Sequence, residues 1–375
     1  MITITDRQAT KSLYTFLYTT PISLGTPPQS FNAIIDTIWT DLFVPSLPCG
    51  GSHCPELAKY NASASSTYRE NGTVKRTTYG PLLAYGKESI DTLSLGDLSV
   101  PQHHFQALNF YEMVYPDDGL EGWDSVLGLA YEREEWMDDP RSPNTLSSPF
   151  RRVVESKVLD SNLISLKLPR NDPDTGDIVF GDLNEDLFVE GSMAWNSLYP
   201  ANTTQWQIEV VSVSMVKEGK KITAPTALVN KSPTSYSALV MTAWPILAFP
   251  HALGRELLSR LPLEPSSCGG EMVIPCSSIP DLPDLVIEFR SGQETALKGE
   301  DYVAKLTMPW CREPVVECLP LIEAFPEHAP GFEIPKDLLV LGGAVLKNVY
   351  SVFDWDERRV GWGTKGDGRC VEEGI

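Results

Sequence analysis

The stretch Tyr18–Ser46 reads YTTPISLGTPPQSFNAIIDTIWTDLFVPS and carries the clearest local organisation in the chain. A Gly-Thr-Pro-Pro turn signal precedes the apolar run Phe31–Ile35, and Asp36 follows that run directly. Apolar runs bounded by turn residues are typical of β-strands. Further runs of this kind occur at Leu163–Leu168 and Trp206–Met215. The sequence therefore predicts a mainly β protein with a few short helices.

Length and charge narrow the class of protein. The chain has 375 residues, of which 42% are hydrophobic, so it can form two cores, and we expect a bilobal molecule with a central cleft. Fifty acidic residues against 30 basic ones give a formal charge of −20. A surface of this sign repels nucleic acid and anionic membranes, so we expect neither as a partner. No apolar run reaches the length of a membrane span.

Cysteines and glycosylation sequons indicate an oxidising compartment. Because of these two features we expect a secreted or secretory-pathway protein. Met1–Lys11 lacks the apolar core of a signal peptide, so we expect the signal peptide to be absent from this sequence. Sequons begin at Asn61, Asn71, Asn202 and Asn230. Of the seven cysteines, Cys49 and Cys54 can close a small loop, and Cys370 is left over. The remaining four could form two more disulfides, in any of three pairings: Cys268, Cys276, Cys311 and Cys318. No Cys/His spacing resembles a zinc site, and we expect no metal and no cofactor.

The quoted stretch resembles the N-terminal lobe of the pepsin-like aspartic proteases, where a strand, Gly-Thr-Pro-Pro-Gln and a second strand precede the catalytic Asp turn. Further matches follow in the family's order: the Cys49/Cys54 loop, Tyr79-Gly80 at the flap, Asp91–Gly96, Trp123–Ala130, Asp177–Asp182, Leu339–Gly343, Tyr350–Asp354 and Arg359–Trp362. The resemblance implies a bilobal acid-protease fold of fungal type, monomeric, with lobes at 14–175 and 176–365. It covers nearly the whole chain.

Catalysis in that family requires two carboxylates that share one proton, one from each lobe. Asp36-Thr37 supplies the first, but Ile38 and Trp39 stand where the family has Gly and Ser or Thr. A β-branched residue in place of that glycine indicates either a rebuilt turn or a changed backbone angle.

The second aspartate has two candidate positions, and neither is an Asp. Counting back from Phe249-Pro250 gives Met241, and counting forward from Trp206 gives Asn230. We favour Met241, because Thr242 and Trp244 then mirror Thr37 and Trp39. No Asp occurs between Asp186 and Asp281. Glu209 or Glu218 could substitute only from an unsuitable loop.

Each candidate residue has a structural and a functional interpretation. Asp36 is either a buried leftover acid or an acid/base group, since burial would raise its pKa. Large aromatic side chains more often pack than bind, so Trp39 and Trp244 either plug the former water site or line an apolar pocket. That pocket would comprise Ile38, Trp39, Tyr79, Met241, Thr242 and Trp244. Tyr79 is at the flap position, although Phe43 replaces the Trp that often supports it.

Three functions follow. The first is a non-proteolytic, repurposed enzyme, a cyclase or isomerase acting on an apolar small molecule such as a secondary metabolite, with Asp36 as the possible acid or base. The second is a non-catalytic binder or inhibitor-type pseudoprotease that recognises a peptide, glycan or protein. The ligand that we expect in the cleft is an apolar small molecule or a peptide-like molecule. The third is a residual aspartic endopeptidase. We lean towards the first, because Asp36 is retained and two matched Trp reshape the cleft.

Overall fold

The computed structural model describes the backbone of residues 2–8 and residues 16–51, 53–80, 82–113, 122–131, 148–170, 174–222, 235–267, 269–308, 311, 314–327 and 334–366. Strands dominate and helices are short, which confirms the expected mainly β class. Among the described helices, none has the length and apolar composition needed to cross a bilayer.

The chain divides into two compact units, the first Leu17–Leu183 with the N-terminal strand and the second beginning at Asn184. The sequence placed the boundary earlier, at residue 175. The difference arises because the strand Thr175–Phe180 pairs antiparallel with Leu163–Lys167 and so belongs to the first unit's sheet.

The described residues of the first unit form ten strands and one α-helix. They are β1 (Ile2–Gln8), β2 (Phe16–Leu24), β3 (Gln29–Asp36), β4 (Leu42–Gly50), β5 (Arg69–Tyr79), β6 (Leu82–Leu95), β7 (Leu98–Met113), β8 (Ser125–Gly128), β9 (Leu163–Lys167), β10 (Thr175–Phe180) and α1 (Pro149–Ser156). Their order in the sheet is β9-β10-β1-β2-β3-β8-β4-β7-β6-β5. The hydroxyl of Ser148 accepts a hydrogen bond from the Arg151 amide and caps α1 at its first turn.

The centre of this sheet fixes where Asp36 lies. β3 runs parallel to β8, which places Asp36 opposite Gly128, and β4 runs antiparallel to β8, which pairs Leu42 with Leu127. β3 has neighbours on both sides and its last four residues are buried, as expected for an apolar run in a central strand. Asp36 is therefore carried into the protein interior by the strand that ends in it.

In the second unit, the part of the chain that the structure describes forms fifteen strands and three α-helices. They are β11 (Ala194–Ser197), β12 (Gln207–Lys217), β13 (Lys220–Lys221), β14 (Tyr236–Val240), β15 (Leu247–Phe249), β16 (Glu264–Pro265), β17 (Met272–Val273), β18 (Asp284–Phe289), β19 (Glu294–Leu297), β20 (Val303–Met308), β21 (Val315–Pro320), β22 (Ile322–Ala324), β23 (Leu338–Leu341), β24 (Val349–Asp354), β25 (Arg359–Thr364), α2 (His251–Ser259), α3 (Gly299–Tyr302) and α4 (Gly343–Leu346).

The main sheet of the second unit has the order β19-β18-β12-β14-β23-β15-β22, with β13 paired to β12. β11, β25 and β24 pair antiparallel in that order. The core of the second unit contains Trp206 and Trp362. The Trp206 ring lies edge-on to Phe353 with 5.3 Å between ring centroids, and the Trp362 ring stacks on Phe289 with 5.6 Å between centroids. Burying such large aromatic side chains supplies much of the free energy that orders a sheet.

Two disulfides are described completely. Cys49 bonds to Cys54, as the sequence indicated, and Cys276 bonds to Cys318. Cys311 is also disulfide-bonded. The two remaining cysteines, Cys268 and Cys370, lie outside the described residues.

Candidate functional site

Asp36 lies at the end of β3 and is 1% exposed. Its Oδ1 accepts hydrogen bonds from the backbone amides of Ile38 at 2.9 Å and Trp39 at 3.1 Å. These two amides lie in the turn that follows the carboxyl group, so the chain folds around its own acid. The turn forms although Ile38 stands where a glycine was expected.

Tyr79 ends β5, and its hydroxyl donates a hydrogen bond to Oδ2 of Asp36 at 2.9 Å. The phenol ring lies edge-on against Trp39, with 5.0 Å between ring centroids. The rings of Phe43 and Trp123 also lie edge-on to the Tyr79 ring, with centroid separations of 6.1 Å and 6.3 Å. Both oxygens of the Asp36 carboxyl group are therefore hydrogen-bonded within the first unit, one by backbone and one by Tyr79.

Burial governs the electrostatics of this pair. Desolvation raises the pKa of Asp36, and the hydrogen bonds from Ile38, Tyr79 and Trp39 oppose part of that rise. Desolvation also raises the pKa of Tyr79, and the negative charge of Asp36 adds to the rise. Tyr79 consequently remains a hydrogen-bond donor over the ordinary pH range.

Trp39 contributes both its ring to the aromatic contacts of Tyr79 and its backbone to the turn after Asp36. Its carbonyl accepts a hydrogen bond from the Ala130 amide at 3.1 Å, and a Cβ built on Gly128 would lie 2.4 Å from that same oxygen. Within the described part of the chain, the indole Nε1 of Trp39 is buried without a hydrogen-bond partner. Ile38 and Trp39 are both partly exposed.

The second unit contains a similar local arrangement after β14. Met241 follows the strand directly, and its amide donates to the Leu341 carbonyl at 3.1 Å. Thr242 is buried, as is Thr37 in the first unit. A Cβ on Gly342 would lie 2.2 Å from the Trp244 carbonyl oxygen. Asn230, the alternative position, lies outside the described residues.

A cavity of about 730 Å³ lies within the second unit. Trp244 forms part of its wall, whereas Met241 and Thr242 are not among its lining residues. Sequence reasoning missed the rest of the lining, which comes from α2, β17, β21, β22 and the loops beside them. The lining residues are Trp244, Pro245, Ile246, Arg255, Leu258, Ser259, Leu263, Glu271, Met272, Leu319, Pro320, Ile322 and Glu323.

The structure thus groups the predicted site residues by unit. Asp36, Ile38, Trp39 and Tyr79 lie together in the first unit. Met241, Thr242 and Trp244 occupy one loop in the second. The missed contributor in the first unit is Lys75, whose ammonium group pairs with buried Asp41. Its signal in the sequence is that Lys75 lies four residues before Tyr79 and so faces the same side of the strand.

The two candidate substitute acids lie elsewhere in the second unit. Glu209 is on β12, where a hydrogen bond and ion pair with Arg290 lower its pKa. Glu218 is exposed in the turn between β12 and β13, with a positive φ of 51°. Neither follows β14 as Met241 does.

The remaining expectations concern surface and metal sites. Asn61, Asn71 and Asn202 are partly or fully exposed, and glycosylation at them stays a prediction. The side chain of Asn71 also donates to Glu88 at 2.9 Å. Within the described residues, no cluster of three His, Cys, Asp or Glu side chains is placed to hold a metal ion.

Comparison with known proteins identifies the family to which the chain is similar. The model of the eukaryotic aspartyl protease family matches residues 17–365. Vacuolar protease A of Neurospora crassa is 27% identical over 348 residues, 92% of this chain and 78% of that protein. Cathepsin D of Chionodraco hamatus is 29% identical over 91% of this chain and 79% of its own length. Pepsin A of Bos taurus is 27% identical over 96% and 87% of the two chains.

Proposed function

The chain belongs to the eukaryotic aspartyl protease family, and we propose that it is a non-proteolytic member whose second unit binds an apolar or peptide-like ligand. The observation that carries the proposal is Met241, which we assign to the position of the second aspartate. A thioether neither ionises nor shares a proton, so it cannot complete the carboxylate pair that pepsin-type hydrolysis needs.

Strand pairing within each unit supports this assignment. Ile35 pairs with Leu127 and Leu42 pairs with Leu127 in the first unit. In the second, Val240 and Leu247 both pair with Leu341. The parallel and antiparallel sense of the pairs is the same in both units. Matching Leu127 to Leu341 therefore matches Ile35 to Val240, and the next residues to each other, Asp36 to Met241.

A close backbone contact supports the same correspondence independently. The Cβ positions of Gly128 and Gly342 would clash with the carbonyl oxygens of Trp39 and Trp244, respectively. The second clashing carbonyl lies two residues later in each case, at Asp41 and at Ile246. Counting back three residues from Trp39 gives Asp36, and counting back three from Trp244 gives Met241.

The state of Asp36 also favours a non-hydrolytic role. A pepsin-type aspartate must hold and activate a water. Here the Asp36 carboxyl group is 1% exposed and both its oxygens accept hydrogen bonds from the protein. Covered in this way, the carboxyl group holds its own turn together and binds the end of β5 through Tyr79.

The cavity beside Trp244 supports the binding half of the proposal. Its volume of about 730 Å³ is within the range of small-molecule sites. Most of its lining is apolar, and Arg255, Glu271 and Glu323 add charged groups that could orient a ligand. Desolvation raises the pKa of Glu323. An apolar ligand or an apolar peptide segment fits this combination.

The proteolysis half is tested with an unfolded protein substrate at acidic pH, with and without a statine-type peptide inhibitor. We expect no cleavage that the inhibitor blocks. Asp36→Asn, which keeps the shape of the side chain but cannot ionise, is the matched control against contaminating proteases. Cleavage that disappears both with the inhibitor and in Asp36→Asn would overturn the proposal in favour of a residual endopeptidase.

The binding half is tested with the fluorescent apolar probe 1-anilinonaphthalene-8-sulfonate. Met272 lines the cavity and is 44% exposed, so Met272→Glu adds a charge there with little change to the core. Val316 on β21 is 50% exposed and does not line the cavity, which makes Val316→Glu the matched control. We expect probe binding to weaken in Met272→Glu alone. Equal binding in both variants and in the wild type would contradict a site at the cavity.

A second candidate is the repurposed enzyme, a cyclase or isomerase, which one observation favours. Asp36 has a raised pKa and is hydrogen-bonded to the phenol of Tyr79, so the pair offers a proton donor and acceptor in an apolar setting. We rank it second because that carboxyl is covered. If apolar substrates are turned over by the wild type and Asp36→Asn abolishes turnover while probe binding persists, the enzyme replaces the binder.

We further propose that the protein resides in the secretory pathway. The disulfides Cys49–Cys54 and Cys276–Cys318 require an oxidising compartment to form. The similar protein from Neurospora crassa is named a vacuolar protease. Sensitivity to a glycosidase that removes N-linked glycans would test passage through that pathway.

A further inference from the structure

The inward face of β5 carries a row of polar side chains. Lys75, Thr77 and Tyr79 alternate along the strand and so point to the same side of the sheet. Lys75 and Thr77 are buried, while Thr78 between them and Tyr79 is exposed. A lysine with its side chain 5% exposed is unusual and needs a partner.

That partner belongs to the turn that carries Asp36. The Nζ of Lys75 lies 2.5 Å from Oδ2 of Asp41, whose side chain is 3% exposed. Asp41 lies five residues after Asp36 and directly before β4. Its carbonyl accepts a hydrogen bond from the Gly128 amide at 3.1 Å, which ties it to β8. The ion pair therefore joins the hairpin to a rigid point in the centre of the sheet.

Gln106 on β7 continues the row. Its Nε2 donates to the Lys75 carbonyl at 2.7 Å, and its Oε1 accepts a hydrogen bond from the hydroxyl of Thr77. Two residues further along β5, the Tyr79 hydroxyl donates to Asp36. Every inward polar group from Lys75 to Tyr79 thus bonds to a residue outside the β5–β6 hairpin.

We propose that Lys75 and Asp41 are positioning residues that hold the β5–β6 hairpin against the Asp36 turn, so that Tyr79 stays closed over the carboxyl group. The row acts as a latch built into the fold. A buried charge left without its partner is strongly unfavourable, and lifting the hairpin at Lys75 would leave Asp41 buried in the sheet without its ion-pair partner. The proposal rests on the proposed function only in taking Asp36 to be covered instead of catalytic.

The test replaces both charges at once, because removing one would leave the other buried and unpaired. In Lys75→Met/Asp41→Asn the shapes are kept and the pair is gone. The matched control is Lys87→Met/Glu70→Gln, which removes an exposed ion pair within the hairpin itself, between β6 and β5. Its two charged atoms lie 2.8 Å apart, and its side chains are 52% and 53% exposed.

Two measurements follow the latch. Hydrogen–deuterium exchange reports opening of the β5–β6 hairpin, and a water-soluble carbodiimide with glycinamide reports access to the Asp36 carboxyl, with the label located by peptide fragmentation. In Lys75→Met/Asp41→Asn, the latch variant, we expect the rate of hairpin exchange and the rate of Asp36 labelling each to rise about tenfold or more. That change corresponds to losing a hydrogen bond to a charged group. Exchange in β23 and β24 should stay unchanged, and the control should behave as the wild type.

Wild-type rates of hairpin exchange and Asp36 labelling in a folded latch variant would overturn the proposal. If the latch variant does not fold, Thr77→Val is the deciding variant. It removes the hydrogen bond from the Thr77 hydroxyl to Gln106 and leaves both charged side chains in place. Faster labelling of Asp36 then supports the latch, and unchanged labelling overturns it. Failure of the proposed function would look different. It would appear as inhibitor-sensitive proteolysis by the wild type, whatever the labelling rates are.

Discussion

The hydrogen bond from Tyr79 to Asp36 makes a prediction at the scale of single residues. Tyr79→Phe removes a donor that favours the ionised carboxylate, so the pKa of Asp36 should rise further above its usual value. We expect the free energy of unfolding to fall by about 1–2 kcal/mol. Titration of ¹³C-labelled aspartate carboxyl groups by NMR measures the pKa directly.

The control lies on the same hairpin. Tyr85 on β6 is 38% exposed, and its ring contacts Phe110 instead of Asp36. Tyr85→Phe should leave the Asp36 titration where it is in the wild type. An unchanged titration in Tyr79→Phe would mean that the phenol does not contribute to the environment of Asp36.

For single residues, the sequence shows which site residues are retained or replaced, but it does not show which side chains contact them. The retained Asp36 and the replaced Ile38 and Trp39 are visible in the quoted stretch. That Asp36 is covered by Tyr79 depends on a hairpin some forty residues away in the chain. The pairing of Lys75 with Asp41 is hidden for the same reason, since an alternating strand pattern shows which side faces inward but not what lies there.

At the scale of elements, the glycines at the strand crossings make the second prediction. Gly128→Ala and Gly342→Ala each place a methyl group 2.2–2.4 Å from a carbonyl oxygen, where the backbone must move. We expect each to lower the free energy of unfolding by roughly 1–3 kcal/mol, the usual cost of overpacking. Urea denaturation followed by tryptophan fluorescence gives the comparison.

Gly270 provides the matched control for both substitutions. It is exposed, and a Cβ built there meets no heavy atom within 4 Å. Gly270→Ala should therefore unfold at the wild-type urea concentration. If Gly128→Ala and Gly342→Ala did the same, the close crossing of strand and turn that we use to match the two units would lose its support.

The elements that the sequence predicted are those with a strong local pattern. The runs Phe31–Ile35, Leu163–Leu168 and Trp206–Met215 coincide with β3, β9 and β12, which confirms them. The cavity of the second unit had no such signal. Its wall is assembled from α2, β17, β21 and β22, which are separated in the chain and meet only through tertiary packing.

For the whole molecule, composition and length predicted a bilobal β protein but not the boundary between the lobes. β10 resembles the opening of a second lobe in sequence, yet its hydrogen bonds go to β9. That pairing is a tertiary contact, which the local sequence pattern of β10 does not show. The net charge of −20 predicted a surface property and carried no information about fold.

Acid sensitivity of the whole fold is the third prediction, and it depends on His103. The ring is fully buried on β7, both nitrogens lack a hydrogen-bond partner within the described residues, and burial is the main cause that lowers its pKa to about 3. Positive charge on Arg152 of α1 and on His104 lowers the pKa further. Asp91 lies opposite on β6 but is engaged by Thr67 at 2.5 Å and by Tyr60.

The sign follows from linkage. The unfolded chain binds a proton at His103 near pH 6.5, whereas the folded chain does not until about pH 3. The stability that neutral His103 contributes is therefore complete above about pH 6.5 and is lost progressively as the pH falls towards 3. His103→Met removes the titrating group and keeps an apolar side chain of similar reach. Relative to the wild type, its free energy of unfolding should improve by about 2 kcal/mol between pH 6.5 and pH 5.

Urea denaturation of both proteins across this pH range isolates the effect, because the other titrating groups are common to both and cancel in the difference. His251→Met, at an exposed position on α2, is the control and should follow the wild-type curve. Parallel curves for His103→Met and the wild type would show that His103 takes up a proton in the folded chain at little cost. The buried, unpartnered ring would then have to open locally to solvent, which hydrogen exchange along β7 would reveal.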